Sequence, residues 1–150
     1  MNKRQHLYGG LLSGIVIVLM SYYYGKPLFS FIDSLIFIIV IPFMTLIPDI
    51  DTEIGKHRGA FHNVFFAILV AVLIYHIGSI TILIAWFVAY TSHIILDLFT
   101  KRGIMLFYPL SKSSIGGFGV DAKSVSGTIV SDVVSILYGL GLVYVYVVIL

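Results

Sequence analysis

Five apolar stretches alternate with turn and charge signals along the chain, and they predict helices over residues 7–24, 29–47, 61–77, 80–98 and 129–150. The second and third have apolar cores too short for the ~20 residues of a membrane crossing, so their flanks at 29–33 and 61–63 are counted with them. Only Gly78 and Ser79 separate the third from the fourth, which predicts a tight helical hairpin. The polar intervals 48–60 and 99–128 then fall on the side of the N-terminus.

Composition turns these helices into membrane spans. Of 150 residues, 59% are hydrophobic and 11% charged, with a mean hydropathy of +1.07. No polar stretch is long enough for a second domain, so residues 1–150 are expected to form one all-α transmembrane bundle of about five helices. The absence of cysteine removes disulfides, thiolate metal sites and Cys nucleophiles, and a net charge of +2 is too small to suggest nucleic acid. Lys3, Arg4, Lys56, Arg58, Lys101, Arg102, Lys112 and Lys123 lie on the N-terminal side and only Lys26 on the other, which predicts a cytoplasmic N-terminus in a multi-pass protein of the cytoplasmic (inner) membrane. Tyr22, Tyr23 and Tyr24 suit an outer aromatic belt, Phe107 and Tyr108 an inner one. Lys3 and Arg4 before an apolar run also suit a secretory signal, but no small-x-small pattern follows Met20, which favours an uncleaved anchor helix.

Against this background seven residues stand out: His6, Asp49, Asp51, His57, His62, His93 and Asp97. Tracing the chain back and forth across a bilayer returns all seven to the cytoplasmic edge. Pro48 is expected to end the second helix and set Ile47 extended, so that Asp49 and Asp51, at i and i+2, aim at one point. His57 is placed on the loop and His62 in the first turn of the third helix, with Gly55 and Gly59 easing the reentry. His93 and Asp97, four apart, share a helix face about 20 and 26 Å along a core ~30 Å thick. An unpartnered Asp at a span's centre costs ~2.5–3.5 kcal/mol, and a bound cation removes that penalty.

Imidazole and carboxylate without thiolate suit Zn first, with Mn or Fe as alternatives, and the candidates suffice for one or two ions. Such an ion lowers the pKa of bound water towards ~7. Arg58 is the candidate for holding a phosphoryl group or anionic lipid head, with Lys101 and Arg102 in support. Asp51 or His57, left unligated, is the candidate general base. Other polar residues have local explanations: His76 an interfacial one, Asp33 a charge at a helix N-terminus, Asp132 a polar contact inside the bundle. The run Ile115–Gly119 lacks the strand and Lys-Ser/Thr of a phosphate loop and is expected to be a flexible loop. Gly10-x-x-x-Gly14 is weak evidence for a homodimer.

The segments Pro48-Asp49-Ile50-Asp51, His57-Arg58-Gly59-Ala60-Phe61-His62 and Ser92-His93-Ile94-Ile95-Leu96-Asp97, continued by Thr100, Gly103 and Pro109 and preceded by His6, resemble the YdjM-type family. That resemblance implies a membrane-bound, metal-dependent hydrolase, with a LexA-binding label from one branch. Phe61 departs from it, standing where the pattern has Thr. More distantly, the order of His and Asp is similar to zinc-dependent phospholipase C and P1 nuclease. By that similarity His6, Asp49 or Asp51, His62, His93 and Asp97 carry metal, with Asp97 bridging. No His follows His93, which implies one or two ions rather than three.

Together these readings predict a cytoplasm-facing hydrolase that cleaves a phosphoester of a lipid or other interfacial substrate, with membrane lipids as its surroundings. The alternative is a non-catalytic, metal-stabilised adaptor docking a cytoplasmic protein. A metal-ion transporter is disfavoured, since carriers place ligands near the midplane rather than at one end.

Overall fold

The computed structural model describes residues 3–50, 61–101, 103–121 and 124–149. Among these are five α-helices: α1 (Lys3–Tyr23), α2 (Phe31–Met44), α3 (Val64–Ile77), α4 (Ile80–Leu98) and α5 (Val125–Tyr144). A 3-10 turn, Ile47–Asp49, follows α2, and a π-helical segment, Val145–Ile149, continues α5. Among the described residues four segments are long and apolar enough to cross a membrane, Lys3–Tyr23, Phe31–Asp49, Ile80–Leu98 and Val125–Ile149, whereas the span expected over 61–77 forms only the shorter apolar helix Val64–Ile77. The described residues contain no strand, only the isolated bridges Thr100–Val120 and Ile104–Ile115.

Local capping sets the helix ends. Ser30 accepts from the Asp33 amide and donates its hydroxyl to the Asp33 carboxylate at 2.7 Å, closing the first turn of α2. Asn63 accepts from Phe66 N at 2.9 Å to open α3, Ser79 accepts from Ile82 N to open α4, and Ser124 accepts from Gly127 N to open α5. The last of these starts α5 four residues before the expected 129. Gly78, at φ +81°, ends α3 in the left-handed conformation that glycine adopts freely, and the expected hairpin forms around it.

Pro48 acts differently from the sequence expectation. Leu46 (φ −89°, ψ −14°) and Ile50 (φ −63°, ψ −34°) are both helical, and Pro48 sits in the opening of the 3-10 turn, where its missing N–H costs nothing. Asp49 is therefore presented from a helical turn, not from the extended pairing expected with Asp51, which lies outside the described residues. Pro42, inside α2, removes one backbone donor two residues before the helix ends at Met44.

Helix α1 is the central element, packed on α5, α2 and α4, while α3 packs chiefly on α4. Phe37 and Ile41 of α2, Ile17 of α1, and Ala85 and Ala89 of α4 form one buried cluster. Trp86, Tyr90 and Ile94 of α4 form another with Ala71 and Ile74 of α3 and Ile104 of the following loop. Small residues allow the close approach. A Cβ on Gly10 would overlap the Thr45 side chain, with its Oγ1 at 3.0 Å, and one on Gly14 would meet Ile41 Cγ2 at 3.0 Å. The Gly10-x-x-x-Gly14 stripe is thus filled by α2 of the same chain, which removes it as evidence for a dimer. Gly10→Val should destabilise the fold by about 1–3 kcal/mol, the usual cost of overpacking, measured by thermal unfolding in detergent.

Asp132 does not enter the bundle; it is exposed on α5 beside Tyr8 and Thr128. The 103–121 loop is tied down rather than loose. Gly117 N donates to Leu98 O at 3.0 Å, Val64 N donates to Leu106 O at 3.0 Å, and a Cβ on Gly116 would lie 2.7 Å from Leu98 O. Gly116 and Gly117 therefore serve a close fold-back onto the end of α4.

Candidate metal centre

The start of α1, the turn after α2, the approach to α3 and the end of α4 meet at one end of the bundle. They bring together His6, Asp49, His62, His93 and Asp97, all buried. His93 and Asp97 lie one turn apart on α4, as their spacing expects. His62 sits one residue before the Asn63 cap of α3, just outside the helix rather than in its first turn. Asp51 and His57, the candidate catalytic pair, and Arg58, the candidate substrate-binding residue, lie outside the described residues.

The donor atoms crowd a small volume. His93 Nε2 and His62 Nε2 are 3.1 Å apart, and His6 Nε2 is 3.2 Å from Asp97 Oδ1. Asp97 Oδ2 lies 3.6 Å from both His62 Nε2 and His93 Nε2, and Asp49 Oδ1 lies 3.6 Å from His62 Nε2 and 3.9 Å from His93 Nε2. Two overlapping groups arise, His6–Asp49–His93 and His62–His93–Asp97, each with its ligand atoms within 4.8 Å of one another. His93 belongs to both.

Neighbouring contacts fix the rings. His93 Nδ1–H donates to the Thr45 carbonyl at 2.6 Å, which turns the Nε2 lone pair towards the cluster. His6 stacks on His93 with ring centroids 3.8 Å apart and planes 16° off parallel. Tyr90 donates to both Phe61 O (3.1 Å) and Asn63 O (2.7 Å), clamping the backbone on either side of His62. Thr100 Oγ1 donates to the Asp97 carbonyl at 2.8 Å, holding the end of α4. Thr45, Tyr90 and Asn63 were not singled out from the sequence. For Tyr90 a signal existed, since it lies three residues before His93 and so near its face of the helix. Asn63 before an apolar run is a helix-start signal. Thr45 contributes a backbone carbonyl, for which sequence carries no signal.

These residues fit a divalent cation. At metal–donor bonds of ~2.0–2.1 Å, neighbouring ligands of a tetrahedral ion stand roughly 3.3 Å apart, within the 3.1–3.9 Å spread observed. Neither ring nitrogen of His6 has hydrogen-bond geometry to a partner among the described residues, despite complete burial. Three imidazoles and two carboxylates buried together are a set that a cation satisfies and protein groups alone satisfy poorly.

The profile of the YdjM inner membrane protein family matches residues 1–150. Neither the search of curated proteins nor the search of solved structures finds a match. The family description gives a membrane location and names no activity. By this full-length match, the chain belongs to the YdjM inner membrane protein family.

Proposed function

We propose that the chain is a membrane-embedded, metal-dependent hydrolase whose centre faces the cytoplasm and acts on a phosphoester of a lipid or other interfacial substrate. The observation that carries this reading is the convergence of five buried His and Asp side chains, from four separate segments, at ligand-to-ligand distances. When bound, a divalent ion, Zn by the donor set, supplies Lewis acidity and brings the pKa of a coordinated water from 15.7 towards ~7.

The chain's own residues have distinct tasks in this reading. His93, oriented by the Thr45 carbonyl, is shared by both donor groups. Asp97 reaches His6 through one oxygen and His62 and His93 through the other, the disposition of a bridging carboxylate. Arg58 binds a phosphoryl oxygen pair, and Asp51 or His57 takes up the proton released from water. The position of the cluster at one end of the bundle supports a site near the headgroup layer, where a lipid phosphoester resides.

A second reading is favoured by one observation. His6, His62, His93 and Asp97 are each 0% exposed and Asp49 is 7% exposed, the enclosure of a structural ion rather than one with an open position. In that reading the ion stiffens the end of the bundle and the protein docks a cytoplasmic partner.

The test is metal analysis of the purified protein with a panel of phospholipids and generic phosphoesters, before and after chelation. Stoichiometric metal, turnover that stops on chelation and its recovery on adding Zn back are expected. Turnover unchanged in metal-free protein would refute the hydrolase mechanism, and tightly held metal without turnover on any substrate would select the adaptor.

A further inference from the structure

A second concavity lies away from the His/Asp cluster. It is a groove of about 520 Å3 between α1, α4 and α5, lined by Ile17, Ile84, Phe87, Val88, Tyr138 and Leu142 among others, and almost wholly apolar. That volume falls within the ~300–1,000 Å3 of small-molecule sites. On α4 the groove uses Thr91 and Ile95, which stand roughly 200° around the helix from His93 and Asp97. It therefore opens on the opposite face of α4 and does not lead to the candidate metal centre.

Three features identify the occupant. First, the groove is short, running on α4 from one turn inside the far end to Ile95, level with His93 and Asp97. From Ile84 to Ile95 on α4 is eleven residues, about 16 Å of helix, against a hydrocarbon core of ~30 Å. A partner helix crossing the membrane needs a seam of full height, whereas one acyl chain fills a groove of about this length. Second, the inner part of the groove is apolar without being strained. The hydroxyls of Thr91 and Tyr138 are bonded to each other, so a hydrocarbon there leaves neither unmatched. Third, its rim carries a cation. Lys26 Nζ donates to Val147 O at 2.9 Å, beside the lining residues Val145 and Tyr146. This uses one of three ammonium donors, and Lys26 is the only Lys or Arg between Arg4 and Lys56.

We propose that this groove binds one anionic glycerophospholipid from the leaflet opposite the His/Asp cluster, with an acyl chain between α4 and α5 and its phosphate on Lys26. The site needs neither the metal nor hydrolysis, so it stands independently of the function proposed above.

The experiment is native mass spectrometry of the full chain released from nanodiscs of mixed phosphatidylglycerol and phosphatidylcholine. One retained phosphatidylglycerol is expected, in preference to phosphatidylcholine. Lys26→Ala should lower that preference about fivefold, the weight of one cation near anionic headgroups. Ile84→Trp, which fills the groove, should abolish retention of either lipid; Leu142→Trp does the same from α5 and serves if the first variant is not monodisperse. Equal retention of the two lipids by the native chain, an unchanged preference in Lys26→Ala, or a retained lipid in a folded groove-filling variant would each overturn the proposal.

Discussion

His93→Ala should leave the purified protein without stoichiometric divalent metal, and any metal-dependent turnover should fall by more than ~100-fold. Changes to groups that merely orient a ligand typically cost ~10–100-fold, and His93 is itself the shared donor. Its Nε2 lies within 3.1–3.9 Å of His62, Asp97 and Asp49, so its loss dismantles both donor groups at once. Removal also frees the Thr45 carbonyl and unstacks His6. Elemental analysis of monodisperse protein, with isothermal titration of Zn into chelated protein, checks this. Full metal occupancy in the variant would show that the ion sits elsewhere. By the same logic Gly10→Val should weaken metal binding indirectly, because a side chain at Gly10 displaces Thr45.

Asp97→Ala should destabilise even the metal-free protein, by roughly 3 kcal/mol, since removing one member of a buried polar network strands its partners. The Asp97 carboxylate faces His6 at 3.2 Å and His62 and His93 at 3.6 Å in a region closed to water. Asp97→Asn keeps the shape and one acceptor oxygen, so it should recover much of the stability while still losing metal. Thermal unfolding of the two variants in detergent with chelator separates the effects. Equal melting temperatures for Asp97→Ala and the native chain would mean that the cluster contributes nothing to the fold.

Membrane class and helix number were legible in the chain because apolar runs bounded by Gly, Pro and charge signal spans strongly. The juxtaposition of His6, Asp49, His62, His93 and Asp97 was also legible, since chain-reversal counting needs only the order of helices and not their packing. What was hidden depended on backbone detail. Pro48 can stop a helix or open a 3-10 turn, and only the conformations of Leu46 and Ile50 decide between them. Gly10 and Gly14 fit a partner chain as well as α2, because a small-residue stripe does not say what approaches it. Asp132 was assigned to the interior on cost alone, whereas its place on α5 turns it outward. The carbonyl of Thr45 and the clamp of Tyr90 on Phe61 and Asn63 arise from contacts between distant segments, which a one-dimensional pattern does not contain.

The short α3 has a consequence for the bilayer itself. Fourteen helical residues rise about 21 Å, roughly 9 Å less than an average hydrocarbon core, and α3 shows Phe65, Ile68, Leu69 and Leu73 outward with support chiefly from α4. A span too short for its membrane draws the two surfaces together around it, at fractions of a kcal/mol per ångström. The mismatch is confined to α3, because the segments Lys3–Tyr23, Phe31–Asp49, Ile80–Leu98 and Val125–Ile149 are each long and apolar enough to cross. It falls where His62 precedes α3. Under the hydrolase function proposed above, such thinning would draw headgroups towards the level of the ligand cluster, so that hydrophobic mismatch would do the work of an entry channel.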